Sequence, residues 1–472
     1  MDNERIHALI KAKGIKFLDL RYPDLPGRLR HVTVPIERLS SVLKDGVGFD
    51  SSSVAGFRTV EAGDMVLKPD LDTVVLDPFC QQPTLSCFAG IYDPGTGKRY
   101  VRDPRHILQQ AVAALSRASG ADQVMVRPEF EFYLFNKAEF WTDAASAVYR
   151  VETEELKHDD HTGLTLFKGP AYHVAPPFDR SSDFRSELAL LTQGCGIPVK
   201  YHHHEGGRFS QVELEPGYLP VVQAADGIML VKYLVRNLAL RYGKTATFMP
   251  KPIYGEPGSG MHLHIYLAKK GRNTADDKQQ PAGAVSLFGD ERNKGKLSKL
   301  AMHFIGGILM HAPSLCALTN PSTNSYRRLV PGFEAPVAVF FSFANRTAAI
   351  RIPGYVTSAR DMALEYRIPD ASANPYLSLA AVLLAGLDGI RRKIDPGTPL
   401  QGRVEASSGD HAARALPRTL EAALEELRQD HEYLTVAFTL DTIDKWVEIK
   451  MAEAEALARR PHPWEYNLYY GC

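Results

Sequence analysis

Period-two alternation of apolar and polar residues is the dominant pattern in the middle of the chain. VRPEFEFYLF (126–135) sets Phe130 and Phe132 against Glu129 and Glu131. Side chains on an extended strand alternate faces, so each pair shares one side. SQVELEPG sets Gln211, Glu213 and Glu215 against Val212 and Leu214. GSGMHLHIYL sets His262 and His264 against Met261, Leu263 and Ile265. ALEYRIPD places Glu365 and Arg367 opposite Tyr366, and AAIRIPG adds Arg351. Each segment predicts a strand with one apolar face and one face of acids, imidazoles or guanidiniums.

Elsewhere the patterns divide the chain. The first hundred residues read mostly as strands. IKFLDLRY and RLRHVTV flank the turn PDLPG as a hairpin. PIERLSSVLKDG predicts a short helix ending at Gly46, and DTVVLDPF and TLSCFAGIYD predict further strands. Asp103-Pro104 is an N-cap followed by a first-turn proline, and opens a helix that ends at Gly120. Later helices are expected over 222–243, 295–313 and 374–393. A last one is capped by Asp441, repeats apolar residues at Ile443, Val447 and Met451, carries Arg459 and Arg460 in its final turn and stops at Pro461. Stretches 140–170, 270–295 and 400–415 read as loops or insertions. The fold class is α+β, with a small β-rich domain over 1–102 and a large mixed domain over 103–472.

Lys+Arg and Asp+Glu both number 55, so the balance gives no support for a nucleic-acid or membrane-surface partner. The 5 cysteines are scattered without metal-binding spacing, which predicts reduced thiols in a cytoplasm. MDNERIHALIKAKG lacks the apolar core of a secretory signal. No apolar run approaches the ~18 residues that span a bilayer.

The plain alternative for the alternating segments is a set of amphipathic strands with wetted faces. That explains the period but not the residue types, because Glu and His are unusual on exposed strands, where Thr, Ser and Lys prevail. A shared cavity explains both. Buried acids there need divalent cations, and Glu/His sets without Cys suit Mg²⁺ or Mn²⁺. Arginines nearby suit phosphate oxygens. Together these are the parts of a phosphoryl-transfer site. The P-loop pattern GxxxxGK[ST] is absent, and DPGTGKRY does not fit it. In YHHHE, His203 and Glu205 share a face and His204 turns away, so at least one of these histidines is structural.

Ordered blocks along nearly the whole chain resemble type I glutamine synthetases. They include FDSSSVAGF (49–57), RPEFEFYLF (127–135), HHEGGRFSQVELE (203–215), GSGMHLHIYL (258–267), NSYRRLVPGFEAPV (324–337), NRTAAIRIP (345–353) and EYRIPDASANPYL (365–377). The resemblance implies a β-grasp-like N-terminal domain and a catalytic domain whose antiparallel sheet, flanked by helices, forms the active-site cavity. It implies ATP-dependent ligation of ammonia to L-glutamate through a γ-glutamyl phosphate. The alternatives are glutamate–amine ligation on the same fold and a non-catalytic paralogue.

By the same resemblance, Glu131, Glu205 and Glu213 would hold one metal ion and Glu129, His262 and Glu365 a second. Arg328 would take the glutamate carboxylate and Arg367 the reacting end, with Gly258 and His262 also at the substrate. Arg346, Arg351 and His264 would face ATP. Asp50 and Glu334 would form the ammonium pocket and accept its proton, Asp50 from a neighbouring subunit. The assembly implied is a cytoplasmic dodecamer of two stacked hexameric rings. This chain departs from the family pattern at Ser51, Ser210, Pro257 and Ala363.

Overall fold

The turn PDLPG closes the expected hairpin: β1 (Phe17–Pro23) and β2 (Leu29–Pro35) pair antiparallel, with Tyr22 opposite Arg30. The computed structural model describes residues 3–156, 171–270, 284–290, 296–333, 335–402 and 414–472. With β3 (Val47–Asp50), β4 (Asp64–Pro69), β5 (Val75–Leu76) and β6 (Thr84–Tyr92), the hairpin builds a sheet in the order β2-β1-β6-β4-β3, with β5 also on β6. The β1–β6 pair is parallel. Helix α1 (Asn3–Lys13) precedes this sheet, an element the strand-rich reading of the first hundred residues omits. Helix α2 (Leu39–Asp45) buries Leu39 and Val42 and ends at Gly46, as expected. DTVVLDPF yields only β5, because Leu71–Thr73 form a 3₁₀ turn capped by Asp70, and Asp77 is drawn to Arg21 and to the N–H groups of Phe79 and Cys80.

Helix α3 (Pro104–Ser119) starts where its sequence signal lies. The Asp103 carboxylate accepts from the N–H groups of Arg105 and His106, and Gly120 ends the helix in the left-handed region. It is followed by α4 (Ser182–Gly194), α5 (Val221–Arg241), α6 (Lys299–Met310), α7 (Ala312–Thr319) and α8 (Ser325–Arg328). The last four are α9 (Pro375–Arg392), α10 (Leu420–Gln429), α11 (Leu440–Ala458) and α12 (Pro463–Tyr469). Buried Asp226 on α5 ties this layer together: Arg105 and the Tyr376 hydroxyl both donate to it, at 2.9 and 2.6 Å. Asn374 caps α9 through its carbonyl oxygen and donates its amide to the backbone oxygens of Asp24 and Leu25, fastening the β1–β2 turn to the helix.

Two helix readings need correction. The helix expected over 295–313 is two helices, α6 and α7, meeting at a 75° bend near His311. Ser298 caps the first and Pro313 opens the second. Helix α11 is capped by Thr439, whose hydroxyl accepts from the Thr442 N–H; Asp441 instead pairs with Arg102. Among the described residues, no single helix is long and apolar enough to cross a membrane.

Two further sheets face the helices. One runs β11 (Val199–His204), β12 (Gln211–Pro216), β8 (Phe130–Phe135), β14 (Thr245–Thr247), all antiparallel. The other runs β13 (Leu219–Pro220), β7 (Gln123–Pro128), β15 (Leu263–Lys270), β20 (Leu364–Tyr366), β19 (Ile350–Ile352), β18 (Phe341–Phe343), with β16 (Ala284–Ser286) on β15. Among the described residues, only β18–β19 in this second sheet is parallel. VRPEFEFYLF is therefore two strands in two sheets, with Glu129 at the crossing. Its face alternation survives, since Phe130, Phe132, Val212 and Leu214 are fully buried in the core.

The expected loop 140–170 begins inside a hairpin, β9 (Lys137–Thr142) and β10 (Ala147–Glu152). Its turn is closed by Asp143, which accepts from the N–H groups of Ala145 and Ser146. A short pair, β17 (Ala338–Val339) and β21 (Arg414–Ala415), completes the sheets. The rest of the loop readings, apart from β16, β21 and their neighbours, lies largely outside the described residues.

Candidate active site

Sheet register alone assembles two rows of functional side chains. On the first sheet His203 faces Glu213, and Glu213 faces Glu131. On the second, Arg127 faces His264, His264 faces Glu365, and Glu365 faces Arg351. Glu129 sits between the sheets. Its N–H donates to the His262 carbonyl at 2.9 Å, so the crossing point is stitched to the GSGMHLH segment.

The rows converge on a cavity of about 1500 Å³. Glu129, Glu131, Glu205, Glu213, His262 and Glu365 all line it, with Arg328, Arg346, Arg351 and Arg367. Glu129, His262 and Glu365 offer ligand atoms that all lie within 4.8 Å of one another. His203, Glu205 and Glu213 make a second such group. Glu131 adjoins both, with one oxygen 3.8 Å from His262 Nε2 and the other accepting the Gly260 N–H at 2.8 Å.

The electrostatics of the two groups differ. Burial, then the neighbouring charges of Glu131 and Glu213, raises the Glu205 carboxyl well above its usual range. Burial and the charges of Glu129, Glu131 and Glu215 do the same to Glu213. Burial would also raise Glu129, but His264 and His262 outweigh it and hold this acid well down. Its two oxygens lie 2.9 Å from His262 Nδ1 and 2.6 Å from His264 Nε2. Glu365 is lowered in the same way against burial, by Arg367 and His264. Oxygen and imidazole donors without thiolates, around acids that repel one another, fit a hard divalent cation.

Arg328 is the second half of the site. It is buried, its guanidinium donates to the backbone oxygens of Ile368 and Arg367 at 2.8 and 3.1 Å, and no carboxylate pairs with it among the described residues. Two glycines make room for it. A Cβ on Gly258 would meet Arg328 Cγ at 2.7 Å, and one on Gly260 would meet Arg328 Nη2 at 2.6 Å. Arg351 and Arg367 both grip Glu365, and Tyr172 hydrogen-bonds Arg346.

Residues 14–94 match the family described as glutamine synthetase, beta-Grasp domain, and residues 101–469 that described as glutamine synthetase, catalytic domain. The chain belongs to the glutamine synthetase family. It is 42% identical to the glutamine synthetase of Microchaete diplosiphon, with 99% of each chain covered. It is 41% identical to that of Streptomyces coelicolor, with 98% of each covered. The cryo-EM glutamine synthetase of Plasmodium falciparum superposes with a TM-score of 0.88 at 25% identity, covering 100% of this chain and 99% of that one. The fold is thus a small β-grasp domain joined to the large glutamine synthetase catalytic domain.

Against this glutamine synthetase framework, most residues singled out from sequence meet in one place. Gly258 lines the cavity, and His264 stands directly behind it on Glu129. Asp50 does not line it: its carboxylate is exposed at the end of β3 and accepts from the Ser52 N–H at 2.8 Å. Glu334 lies outside the described residues. His204 is the structural histidine, buried against Glu155 at 3.2 Å. The YHHHE tract reads as a candidate histidine-rich metal tract with His203 on the Glu205 face, but the ligand set implied by the resemblance omits His203, which sits 3.4 Å from Glu213. Tyr172 and Tyr355, which also line the cavity, carry no periodic signal, whereas Tyr201 falls on the His203 and Glu205 face of YHHHE.

Proposed function

We propose that this chain is an ATP-dependent glutamate–ammonia ligase, giving L-glutamine, ADP and phosphate. The observation that carries the reading is buried Arg328, free of any carboxylate partner among the described residues, in one cavity with two groups of carboxylates. Acids there attract cations and the guanidinium attracts a carboxylate, so the cavity accepts a metal–nucleotide complex beside an amino acid.

Glu131, Glu205 and Glu213 would hold one cation and Glu129, His262 and Glu365 the other. When bound, Mg²⁺ or Mn²⁺ neutralises charge on phosphoryl oxygens. Arg328 holds the α-carboxylate of glutamate, with Gly258 leaving space beside it, and Arg367 steadies the reacting end. Arg346 and Arg351 hold the phosphates of ATP, with His264 orienting Glu129 behind them. The side-chain carboxylate oxygen of glutamate attacks the γ-phosphorus and ADP leaves, which converts a poor leaving group into phosphate. Ammonium gives a proton to Asp50 or Glu334, ammonia attacks the acyl carbon, and the carbon–oxygen bond to phosphate breaks as the nitrogen passes its surplus proton to the departing phosphate.

Asp50, exposed on the small domain, fits a role in the cavity of an adjacent copy. Exposed aromatic residues on α12 and on the β9–β10 hairpin support self-association, which we read as two stacked hexameric rings. Residues 1–102 then form the donating domain and 103–472 the catalytic one, in a cytoplasmic enzyme.

The test is phosphate release from ATP and glutamate with ammonium or with a panel of primary amines. Saturation by ammonium is expected. Saturation by an amine alone rejects ammonia ligation in favour of amine ligation, and no release with any acceptor rejects catalysis.

A further inference from the structure

A second cavity, of about 760 Å³, lies away from the carboxylate groups, where the β1–β2 hairpin meets α5. Met229, Lys232, Tyr233 and Arg236 line it from a single helix face, at the i, i+3, i+4, i+7 spacing. Arg28 enters from the hairpin side.

The charges around it do not balance. Arg21 is matched by Asp19 and Asp77, and Lys450 by Glu453. Arg28, Lys232 and Arg236 have no carboxylate within ion-pair distance among the described residues. Arg28 and Arg236 stand at the exposed rim. Lys232 forms the floor and is only 7% exposed. Its ammonium gives one donor to the Ala371 carbonyl, which leaves the others without a protein acceptor among the described residues. The Phe248 ring lies close to both cations of the helix, 6.0 Å from Lys232 Nζ and 5.6 Å from Arg236 Cζ. A ring face eases the burial of a cation without neutralising it. Burial, with Arg236 nearby, lowers the Lys232 ammonium to about 7, the mark of a poorly solvated charge.

We propose that this interdomain cavity binds a small doubly charged oxyanion, a phosphate or a dicarboxylate, gripped by Lys232 from below and by Arg236 and Arg28 from the rim. A forked guanidinium on each side matches paired oxygens, and the buried ammonium supplies a point charge at the centre.

Isothermal titration of the full chain with inorganic phosphate and, separately, with succinate tests this. At least one anion is expected to saturate with one site per chain that Arg236→Gln and Lys232→Met each weaken by about tenfold or more. Saturation by phosphate alone assigns a phosphate ligand, and by succinate alone a dicarboxylate. Because phosphate also fits the large cavity, the variants are decisive: binding unchanged in both overturns the proposal, as does the absence of saturable binding by either anion. Arg236 is exposed, so its variant keeps the test available if Lys232→Met does not fold.

Discussion

Glu131 and Glu213 face each other as direct register partners across the β8–β12 ladder, two buried acids on one side of the same sheet. Like charges directly opposite destabilise a strand pair unless something positive lies between them.

Replacing one acid by its amide should therefore have opposite effects with and without cation. In chelator, Glu213→Gln is expected to melt at a higher temperature than the parent. In millimolar Mg²⁺ or Mn²⁺ the parent should gain about 2–3 kcal/mol, the linkage expected at roughly a hundredfold excess over Kd, whereas the variant gains little. Differential scanning fluorimetry reads both. An equal cation-induced shift in the two proteins would remove Glu213 from the ligand set.

His311 predicts a pH dependence. Its Nδ1 lies 2.9 Å from both oxygens of Asp430 and its Nε2 3.0 Å from Asp388. Burial alone would lower this imidazole, but its hydrogen bonds to the Asp430 and Asp388 carboxylates raise it above its usual value. A raised folded value means stabilisation that is complete below the unfolded value and disappears as pH rises through the folded one. His311→Gln should therefore cost of order 2 kcal/mol near pH 6 and much less near pH 9. Urea unfolding at the two values tests the sign; a cost that grows with pH contradicts it.

Ser210 occupies a left-handed backbone position, φ 58°, a conformation that favours glycine. Its hydroxyl lies 2.6 Å from the hydroxyl of Thr153, distant in the chain, and this hydrogen bond offsets the strain. Ser210→Gly should leave the melting temperature near the parent value, exchanging that bond for an easier backbone. Ser210→Val, with a branched Cβ and no donor, should cost about 2 kcal/mol. Equal stability of all three proteins would deny the position any strain.

Helix α12 leaves Trp464, Tyr466, Leu468, Tyr469 and Tyr470 exposed on a single chain. Surface aromatics in such density mark an interface. A chain stopped after Pro461 is expected to form smaller assemblies than the full chain in light scattering coupled to size exclusion. An unchanged mass would move the contact elsewhere.

Much of the site was legible because strand alternation is a local signal. Glu213 with Glu215, His262 with His264, and Glu365 with Arg367 needed only their own segments. What escaped depended on partners distant in sequence. Nothing local in VRPEFEFYLF tells that it changes sheets at Glu129, because the change is imposed by β12 on one side and β15 on the other. Asp441 and Thr439 are both good caps, and the choice fell to Thr439 once Arg102, far away in the chain, engaged Asp441. The break at His311 did have a local mark: Pro313 suits the first turn of a new helix better than the end of an old one.

The crossing of one chain segment between two ladders at Glu129 also makes the enzyme self-checking. If either ladder slipped by a single residue, Val212 and Leu214, or Leu263 and Tyr366, would leave the core to face the cavity, and the acids would turn into the apolar core. A mispaired molecule would then be inert rather than weakly active, so a cell carrying some misfolded copies would lose capacity without gaining futile nucleotide hydrolysis.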